Sequence, residues 1–480
     1  MQRLVLFTLL FVLALGAQPR LDLDGIGLLS KAMAQSDDDD DDDDDDDRDD
    51  DDDDDDDRGD GGRSSGGTSF SGRSGDRDDD DRRRATPRRA APRQAAPAPV
   101  RRAAPARAPA PAPLPDRAAD EIIARGVSAD DLAQLQTDGF VLIEQRALTG
   151  GANLVRLRKP GPLDLDAARA AVRARASGTS ADFNHFYRTD QGAAQPADAC
   201  PGGLCLARQV IAWQPIAGCG PLPAVGMVDT GVNADHATFA QADLTVHSLD
   251  PAAERARATA SDALHGTAVA ALLVGAPDTR SPGLIPGARL VAVDAFVRQG
   301  EDQRSDAFSL IAALDWLGAQ DLRLINMSLA GPPNDELARQ IALLVARDVL
   351  IVAAAGNVGP RAAPAYPAAY DGVLAVTAVD RGRQVYRRAG RGPHIDLAAP
   401  GVEVWTAASI SGARTKTGTS FAAPFVTAAA VLWLRAEPAL SAAELARRLT
   451  ERTEDLGDPG RDEVFGAGLL QPPPPCGGAG

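Results

Sequence analysis

The stretch Thr415-Lys-Thr-Gly-Thr-Ser420-Phe-Ala-Ala-Pro424 places a serine between a glycine turn and the predicted first turn of a helix. Residues 425–434 continue this helix without a breaker, and Pro424 is predicted in its first turn, where a missing N–H costs little. A helix that begins here directs its unpaired N–H groups at the Ser420 side chain. Because a serine hydroxyl needs a base and an oxyanion donor to act as a nucleophile, other parts of the chain have to supply them.

Two upstream stretches carry the required side chains. Ala224-Val-Gly-Met-Val228 is predicted to be a short buried strand with Asp229 at its end, and His265 opens a helical run rich in Ala and Leu. In open parallel sheets, reactive groups collect at the carboxyl ends of the strands and at the helix starts that follow. One rim of the sheet is therefore predicted to hold Asp229, His265 and Ser420.

Residues 210–472 resemble the catalytic domain of subtilisin-like serine endopeptidases, the subtilases. The order Asp, His, Ser belongs to that type of triad. Three motifs carry the resemblance: Asp229-Thr-Gly, His265-Gly-Thr-x-Val-Ala and Gly418-Thr-Ser-x-Ala-Ala-Pro424. Lesser motifs follow the family's order: Gly283-Leu-Ile-Pro-Gly-Ala288, Ile325-Asn-Met-Ser-Leu-Ala-Gly331, Ala353-Ala-Ala-Gly-Asn357, Tyr366-Pro-Ala368, Ala398-Ala-Pro-Gly401 and Phe465-Gly-Ala-Gly468.

The resemblance implies a role for each matched residue. Ser420 would be the nucleophile, His265 the general base and then acid, and Asp229 the carboxylate that orients the imidazole. Asn357 would donate its side-chain amide to the oxyanion, together with the backbone N–H of Ser420.

The resemblance also implies a substrate cleft, in which the substrate adds as a β-strand. Neither predicted wall contains an acidic residue, and one of them is lined by alanines, so we expect an apolar residue before the scissile bond. The expected substrate-binding residues are Ser328, Leu329, Ala330, Gly331, Ala353, Ala354, Ala355 and Gly356.

Each of these residues also has a structural interpretation. Ser420 alone would be a helix cap and Asn357 alone a turn residue. Asp229 alone would end a strand, and His265 alone would start a helix. Their occurrence together favours a peptidase over two alternatives, a non-catalytic peptide-binding protein with the same fold and an esterase with the same triad.

The sequence departs from the family pattern at three places. Ala268 stands where many members carry a second histidine, and Phe421 replaces the commoner methionine after the serine. Residues 275–281 lack the asparagine-rich character of the family's calcium loop, so the sequence leaves bound calcium unsupported and we expect no cofactor. No His, Cys or Glu cluster has zinc spacing. The remaining histidines are interpreted as structural: His185, His236, His247 and His394.

The N-terminal part of the chain predicts export. Arg3 precedes the apolar residues 4–15, a signal-peptide pattern within residues 1–34 with cleavage near residue 17 or residue 34. No later apolar run predicts a membrane span once the signal is removed. The expected location is the periplasm or the exterior of the cell.

Residues 35–116 are predicted to be disordered. Residues 37–60 contain 21 Asp against two Arg, a net charge of −19 beside the formal −18 of the whole chain, so the rest of the chain is near +1. Such a block repels itself and buries no apolar surface. The Arg, Pro and Ala residues that follow predict a spacer. Without interleaved aromatics the arginine clusters favour charge pairing within the tail over nucleic-acid binding.

Residues 117–190 regain globular character and resemble the family's propeptide, which aids folding and leaves its last strand in the cleft; an unrelated accessory domain is the alternative. Predicted strands at 139–144, 153–158 and 182–187 and a helix at 163–176 support an α/β unit. Self-cleavage is expected after Tyr187 and before about Gly218. The precursor would thus inhibit itself until it is processed.

Residues 191–472 alternate strand-like and helical segments, which predicts an α/β fold with a parallel sheet covered by helices on both faces. Residues 473–480 form a Pro/Gly tail. We expect a monomer that acts on polypeptides. In an exported chain, four cysteines favour one or two disulfides over a metal site, and three pairings are open: the residues are Cys200, Cys205, Cys219 and Cys476.

Overall fold

The computed structural model describes residues 113–178, 180–189, 206–216, 219–249 and 258–475. The predicted signal peptide, nearly all of the acidic and arginine-rich region, and Cys200, Cys205 and Cys476 lie outside these residues. Among the described residues no cysteine is free, and Cys219 is disulfide-bonded.

The first described unit has the order β-α-β-β-α-β, and its four antiparallel strands lie in the order β2-β3-β1-β4. Ser128 and Asp164 cap its two helices by accepting backbone N–H groups of the first turn. Its own core includes Ile122, Leu135 and Val172. The elements are β1 (Arg117–Arg125), α1 (Ala129–Thr137), β2 (Val141–Ala147), β3 (Asn153–Arg158), α2 (Leu165–Arg173) and β4 (Ala181–Tyr187).

The rest of the described chain is built on a nine-stranded sheet. The helices of this part of the chain are α3 (Leu206–Val210), α4 (Leu264–Val274), α5 (Ala307–Gly318), α6 (Asp335–Val345), α7 (Thr419–Ala436) and α8 (Ala442–Glu451), with a 3-10 helix at Ala237–Phe239. Its strands are β5 (Val225–Asp229), β6 (Leu244–Ser248), β7 (Thr259–Ala260), β8 (Leu290–Asp294), β9 (Val297–Gln299), β10 (Asp302–Asp306), β11 (Leu324–Met327), β12 (Leu350–Ala354), β13 (Val373–Val379), β14 (Leu397–Pro400), β15 (Val404–Ala407), β16 (Ala413–Lys416), β17 (Thr453–Glu454) and β18 (Leu469–Leu470).

The sheet order is β17-β18-β14-β13-β12-β11-β5-β8-β6, and all neighbouring pairs except β17 and β18 are parallel. Strand residues alternate between two cores: Val352 packs with α4, α7 and α8, while the adjacent Ile351 packs with α5 and α6. Helices therefore cover both faces, which confirms the predicted fold class. Helix α7 has the length and hydropathy of a membrane span, but 83% of it is buried inside the protein.

One local prediction was wrong. Pro424 is not in the first turn but is the sixth residue of α7, inside the helix. Helix α7 begins at Thr419, directly after Gly418, whose φ of 153° is a conformation that glycine adopts readily. A proline inside a helix leaves the carbonyl four residues earlier, here that of Ser420, without its helical donor.

A second sheet joins the first unit to the rest of the chain. Strand β4 pairs antiparallel with β10, with Tyr187 opposite Ser305, and β9 and β7 continue the sheet to seven strands. Sequence analysis placed Ser305 at the start of a helix, whereas α5 begins at Ala307, capped by Asp306. Strand β9 pairs with residues 302–304 and β4 pairs with Ser305 and Asp306, so two neighbouring strands hold residues 302–306 extended.

Candidate active site

Asp229 and His265 are in direct contact. Asp229 is the last residue of β5 and is fully buried, and His265 is the second residue of α4. The His265 Nδ1 lies 2.7 Å from Asp229 Oδ1, and the backbone N–H of Thr230 donates to the same oxygen at 2.7 Å. The carboxylate therefore fixes the orientation of the imidazole.

The His265-Gly-Thr motif holds α4 against the loop that follows Asp229. A Cβ on Gly266 would lie 2.4 Å from the Thr230 carbonyl oxygen, so no larger residue fits. The Gly266 N–H donates to Thr230 Oγ1 at 2.9 Å, and the Asn233 N–H donates to Thr267 Oγ1 at 2.8 Å. Close backbone approach and two hydrogen bonds thus set the position of the His265 imidazole relative to the Asp229 carboxylate.

Ser420 is the second residue of α7 and only 2% exposed. Its hydroxyl donates to the Ser328 carbonyl at 3.2 Å. His265 Nε2 is buried and has no hydrogen-bond partner among the described residues, and the ring of Phe421 lies 5.3 Å from the imidazole ring. The hydroxyl would have to turn from Ser328 to the imidazole before it could lose its proton.

A chain of buried polar groups fixes the start of α7. Because Pro424 offers no N–H, the Ser420 carbonyl accepts instead from Ser328 Oγ at 2.8 Å. Asn326 donates to that hydroxyl at 2.9 Å and accepts from Thr427 at 3.0 Å. Sequence analysis assigned Ser328 to the cleft wall and did not identify this contact, which connects β11 to the helix that carries Ser420.

Asn357 lies beside the start of α7. Its Oδ1 accepts from the Thr419 N–H at 3.0 Å, while the Gly356 N–H donates to Thr419 Oγ1 at 3.1 Å. The side-chain Nδ2 lies 3.2 Å from the position that a Cβ on Gly418 would occupy. With its oxygen held by α7, Asn357 presents its amide nitrogen as a donor next to Ser420.

A cleft of about 650 Å³ lies in front of Ser420 and Asn357. Three predicted wall residues are buried behind it: Ser328, Ala353 and Ala355. Arg388 also lines the cleft, although no motif marked it. The lining residues that sequence analysis predicted are Leu329, Ala330, Gly331, Ala354 and Gly356.

The end of β4 occupies part of this cleft. The backbone N–H groups of Arg188 and Ala330 each donate to the other residue's carbonyl at 2.9 Å. Tyr187 is fully buried, and its hydroxyl donates to the Pro332 carbonyl at 2.9 Å. A Cβ on Gly331 would lie 2.4 Å from the Tyr187 ring, so glycine is required there to admit the aromatic side chain.

Charged side chains hold residues 117–187 against α5 and α6. The Asp182 carboxylate accepts from the first N–H of α6, that of Asp335, at 2.8 Å, a favourable place for an anion. Arg125 lies 3.3 Å from Glu336, both side chains being buried. Arg156 of β3 lies 3.3 Å from Asp306, the residue that caps α5.

A second carboxylate, that of Asp294, lies near Asp229. Burial raises the pKa of Asp294, at the end of β8, to about 6, and the nearby Asp229 charge also acts in that direction. Ser261 Oγ donates to Asp294 at 2.9 Å and accepts from the Gly231 N–H at 2.8 Å. Asp294 thus connects the segment before α4 to the loop after β5.

The other histidines make packing contacts away from Asp229. His236 Nδ1 accepts from the Thr238 N–H, and His247 stacks on Trp316 with ring centroids 4.1 Å apart. His185 Nδ1 lies 3.0 Å from the amide of Asn334. Within the described residues no group of His, Cys, Asp and Glu has the arrangement of a metal site.

A model described as the subtilase family matches residues 220–468. The chain is 32% identical over 251 residues to subtilisin DY of Bacillus licheniformis, which covers 51% of this chain and 88% of that protein. It is 30% identical over 250 residues to the minor extracellular protease Epr of Bacillus subtilis strain 168. That match covers 52% of this chain and 37% of the Epr protein. Fervidolysin from Fervidobacterium pennivorans, a keratinolytic enzyme related to subtilisin, has a similar fold, with a TM-score of 0.59, 18% identity and coverage of 74% of this chain and 60% of that chain.

Proposed function

The chain belongs to the subtilase family and is a serine endopeptidase, and we propose that Asp229, His265 and Ser420 are its catalytic triad. The single observation that carries the assignment is the 2.7 Å contact between a fully buried carboxylate and an imidazole whose other nitrogen has no hydrogen-bond partner in the described part of the chain. That nitrogen is the one that would accept the Ser420 proton.

The proposed reaction is acyl transfer. Ser420 Oγ attacks the scissile carbonyl carbon while His265 Nε2 takes the hydroxyl proton, and Asp229 stabilises the imidazolium. The oxyanion accepts hydrogen bonds from Asn357 Nδ2 and the Ser420 N–H. His265 then gives its proton to the leaving amine, and the resulting acyl-enzyme is hydrolysed by a water from which His265 takes a proton.

We propose further that residues 117–190 are a propeptide that the enzyme removes itself. Support comes from Arg188, which pairs with Ala330 in the cleft as a substrate strand would. If this antiparallel register continued, the residue two positions after Arg188 would pair with Ser328, whose carbonyl accepts from Ser420. The expected cleavage therefore follows Asp190, which itself lies outside the described residues.

An aspartate before the scissile bond differs from the apolar residue that the cleft walls favour. Self-cleavage tolerates such a residue because the strand is tethered, and its effective concentration is high. For separate substrates we retain the expectation of an apolar residue at that position.

We propose that the protein is exported to the periplasm or the cell exterior. The signal-peptide pattern of residues 1–34 supports export, as does the name of one relative, a minor extracellular protease. The disulfide of Cys219 is consistent with an oxidising compartment. The domain division, a monomeric state and function without a metal cofactor are part of the same proposal.

The test compares the full-length wild-type chain with Ser420→Ala, both expressed with their own N-termini. A fluorophosphonate should label the wild type and leave the variant unlabelled. N-terminal sequencing should find the wild type beginning at Gln191 and the variant still carrying residues 117–190. Labelling of folded Ser420→Ala, or processing of that variant in isolation, would contradict the assignment.

A further inference from the structure

Arg188 is held in the cleft at two places. Its backbone pairs with Ala330, and its guanidinium makes two hydrogen bonds to the Asp302 carboxylate, Nε to Oδ1 at 2.7 Å and Nη2 to Oδ2 at 2.9 Å. Asp302 is the first residue of β10. A two-point contact of this kind matches the planar geometry of arginine.

The strand register assigns a position to Arg188. Ser328 lies beside Ser420. Extending the register of Arg188 and Ala330 by two residues would place opposite Ser328 the residue whose carbonyl is attacked. Arg188 is therefore the third residue before the scissile bond. A peptide bound in the same register would place its own third residue next to Asp302.

Asp302 is suited to hold a cation. Its side chain is 9% exposed, and besides Arg188 it accepts from Arg304 Nη1 at 2.7 Å. Burial by itself would raise the pKa of Asp302, but hydrogen bonds from Arg188 and Arg304 outweigh that effect, so the pKa lies below its usual value. Once residues 117–190 leave, this carboxylate keeps Arg304 and loses its second cation.

We propose that Asp302 makes the mature enzyme select substrates with arginine, and less strongly lysine, at the third position before the scissile bond. The inference depends on the proposed function, because it takes Arg188 as the stand-in for a substrate residue. Asp302 belongs to the part of the chain that remains after processing. Asp116, which lines the cleft, precedes the proposed cleavage and departs with the propeptide.

The test uses peptides that copy residues 185–194, His-Phe-Tyr-X-Thr-Leu-Gln-Gly-Ala-Ala, with leucine in place of Asp190 and X as Arg, Lys, Ala or Glu. Mature wild-type enzyme should cleave after leucine and show kcat/KM roughly tenfold higher for Arg than for Ala, with Glu lowest. Mass spectrometry of the products identifies the bond that is cut.

Two variants distinguish a direct contact with Asp302 from a general effect of negative charge near the cleft. In Asp302→Asn the preference for Arg over Ala should fall to within about twofold. Glu301→Gln removes the same charge from the exposed neighbouring residue and should keep the wild-type preference.

Equal rates for Arg, Ala and Glu in the wild type, an unchanged preference in Asp302→Asn, or cleavage at another bond would each overturn the inference. The Ala peptide does not depend on Asp302. Failure of the wild type to cleave it, together with failure to digest an unfolded protein, would therefore overturn the proposed function and the inference with it.

Discussion

Two parts of the molecule are attached to the same domain in different ways. One part is the helices α4 and α7, and the other is the unit formed by residues 117–187. In α4 every residue after Leu264 is buried, and the helix contains no Asp, Glu, Lys or Arg. The unit of residues 117–187 also docks through charged groups such as Asp182, Arg125 and Arg156. These act beside buried apolar side chains that the unit adds to the core of α5 and α6: Ile123, Leu148, Leu154 and Tyr187. The first attachment is mainly apolar, whereas the second combines apolar contacts with paired ions and a helix terminus.

The difference bears on the proposed release of residues 117–190. Apolar surface that leaves its partner is exposed to water at a cost of about 25 cal/mol per Å² and promotes association. Ions that part are rehydrated, which offsets much of the lost attraction. In the proposed processing, the ion pairs therefore add less to the cost of release than the buried apolar side chains, such as Tyr187, that have to be exposed.

Breaking the charged attachment should have the largest effect. The variant is Arg125→Met, made in the full-length Ser420→Ala chain. It removes the guanidinium that lies 3.3 Å from Glu336, while the Glu336 carboxylate stays buried. Removing one partner of a buried pair costs about 3–5 kcal/mol. Amide hydrogen exchange should accelerate across residues 117–187 and stay slow in α4 and α7.

The matched control is the double variant Arg125→Met/Glu336→Met. An apolar pair of similar volume avoids the isolated buried charge, so protection of residues 117–187 should partly return. Exchange that stays as slow in Arg125→Met as in the parent would show that the ion pair does not hold the unit, and the contrast between the two attachments would fail.

The mainly apolar attachment also includes polar contacts, one of which joins Ser328 to the Ser420 carbonyl. Ser328→Ala should lower the free energy of unfolding by about 1–3 kcal/mol, because Pro424 leaves that carbonyl with no other helical donor. Urea unfolding of full-length chains in the Ser420→Ala background would measure the loss without self-digestion.

Adding Pro424→Ala restores a backbone N–H four residues after Ser420. Ser328→Ala should then cost less than it does with proline present, although Asn326 still loses its acceptor. The same cost in both backgrounds would mean that the hydroxyl does not replace the helical hydrogen bond.

The smallest expected effect concerns Asp294, the partly buried carboxylate at the end of β8. Its pKa rises from 3.8 to about 6 on folding, so its contribution to stability is complete below pH 3.8 and is lost as pH rises through 6. The free energy of unfolding of Asp294→Asn, relative to that of the parent, should rise by on the order of 1 kcal/mol between pH 4 and pH 8, after allowance for partial exposure. Urea unfolding at several pH values, again in Ser420→Ala, would check this, and a difference independent of pH would contradict it.

Sequence analysis predicted the parallel sheet and its covering helices because long apolar runs alternate with turn signals. It also identified the residues now seen at one rim, since nucleophile, base and oxyanion donor are restricted to few residue types; their roles stay predictions. The strand at 182–187 was confirmed as β4. Strand β1 was missed because Arg117-Ala-Ala-Asp-Glu121 shows no alternation of apolar and polar residues.

Strand β10 and the contact between Arg188 and Asp302 had no local signal. Asp302-Gln-Arg-Ser-Asp306 has low intrinsic strand preference and is extended because its first three residues pair with β9 and its last two with the distant β4. Arg188 and Asp302 are 114 residues apart, and only the folded chain brings them together. Contacts set by pairing between distant segments cannot be obtained from a pattern that is read along one segment.

The pairing of β4 with β10 has a consequence for the processed enzyme. In the proposed processing, β4 departs and β10 becomes the outermost strand, so the backbone groups of Ser305 and Asp306 could pair with another chain. Asp302 and Arg304 place charge on that strand, which disfavours indiscriminate stacking of one molecule on the next. We therefore expect Asp302, which holds Arg188 in the precursor, also to oppose aggregation along that edge after processing.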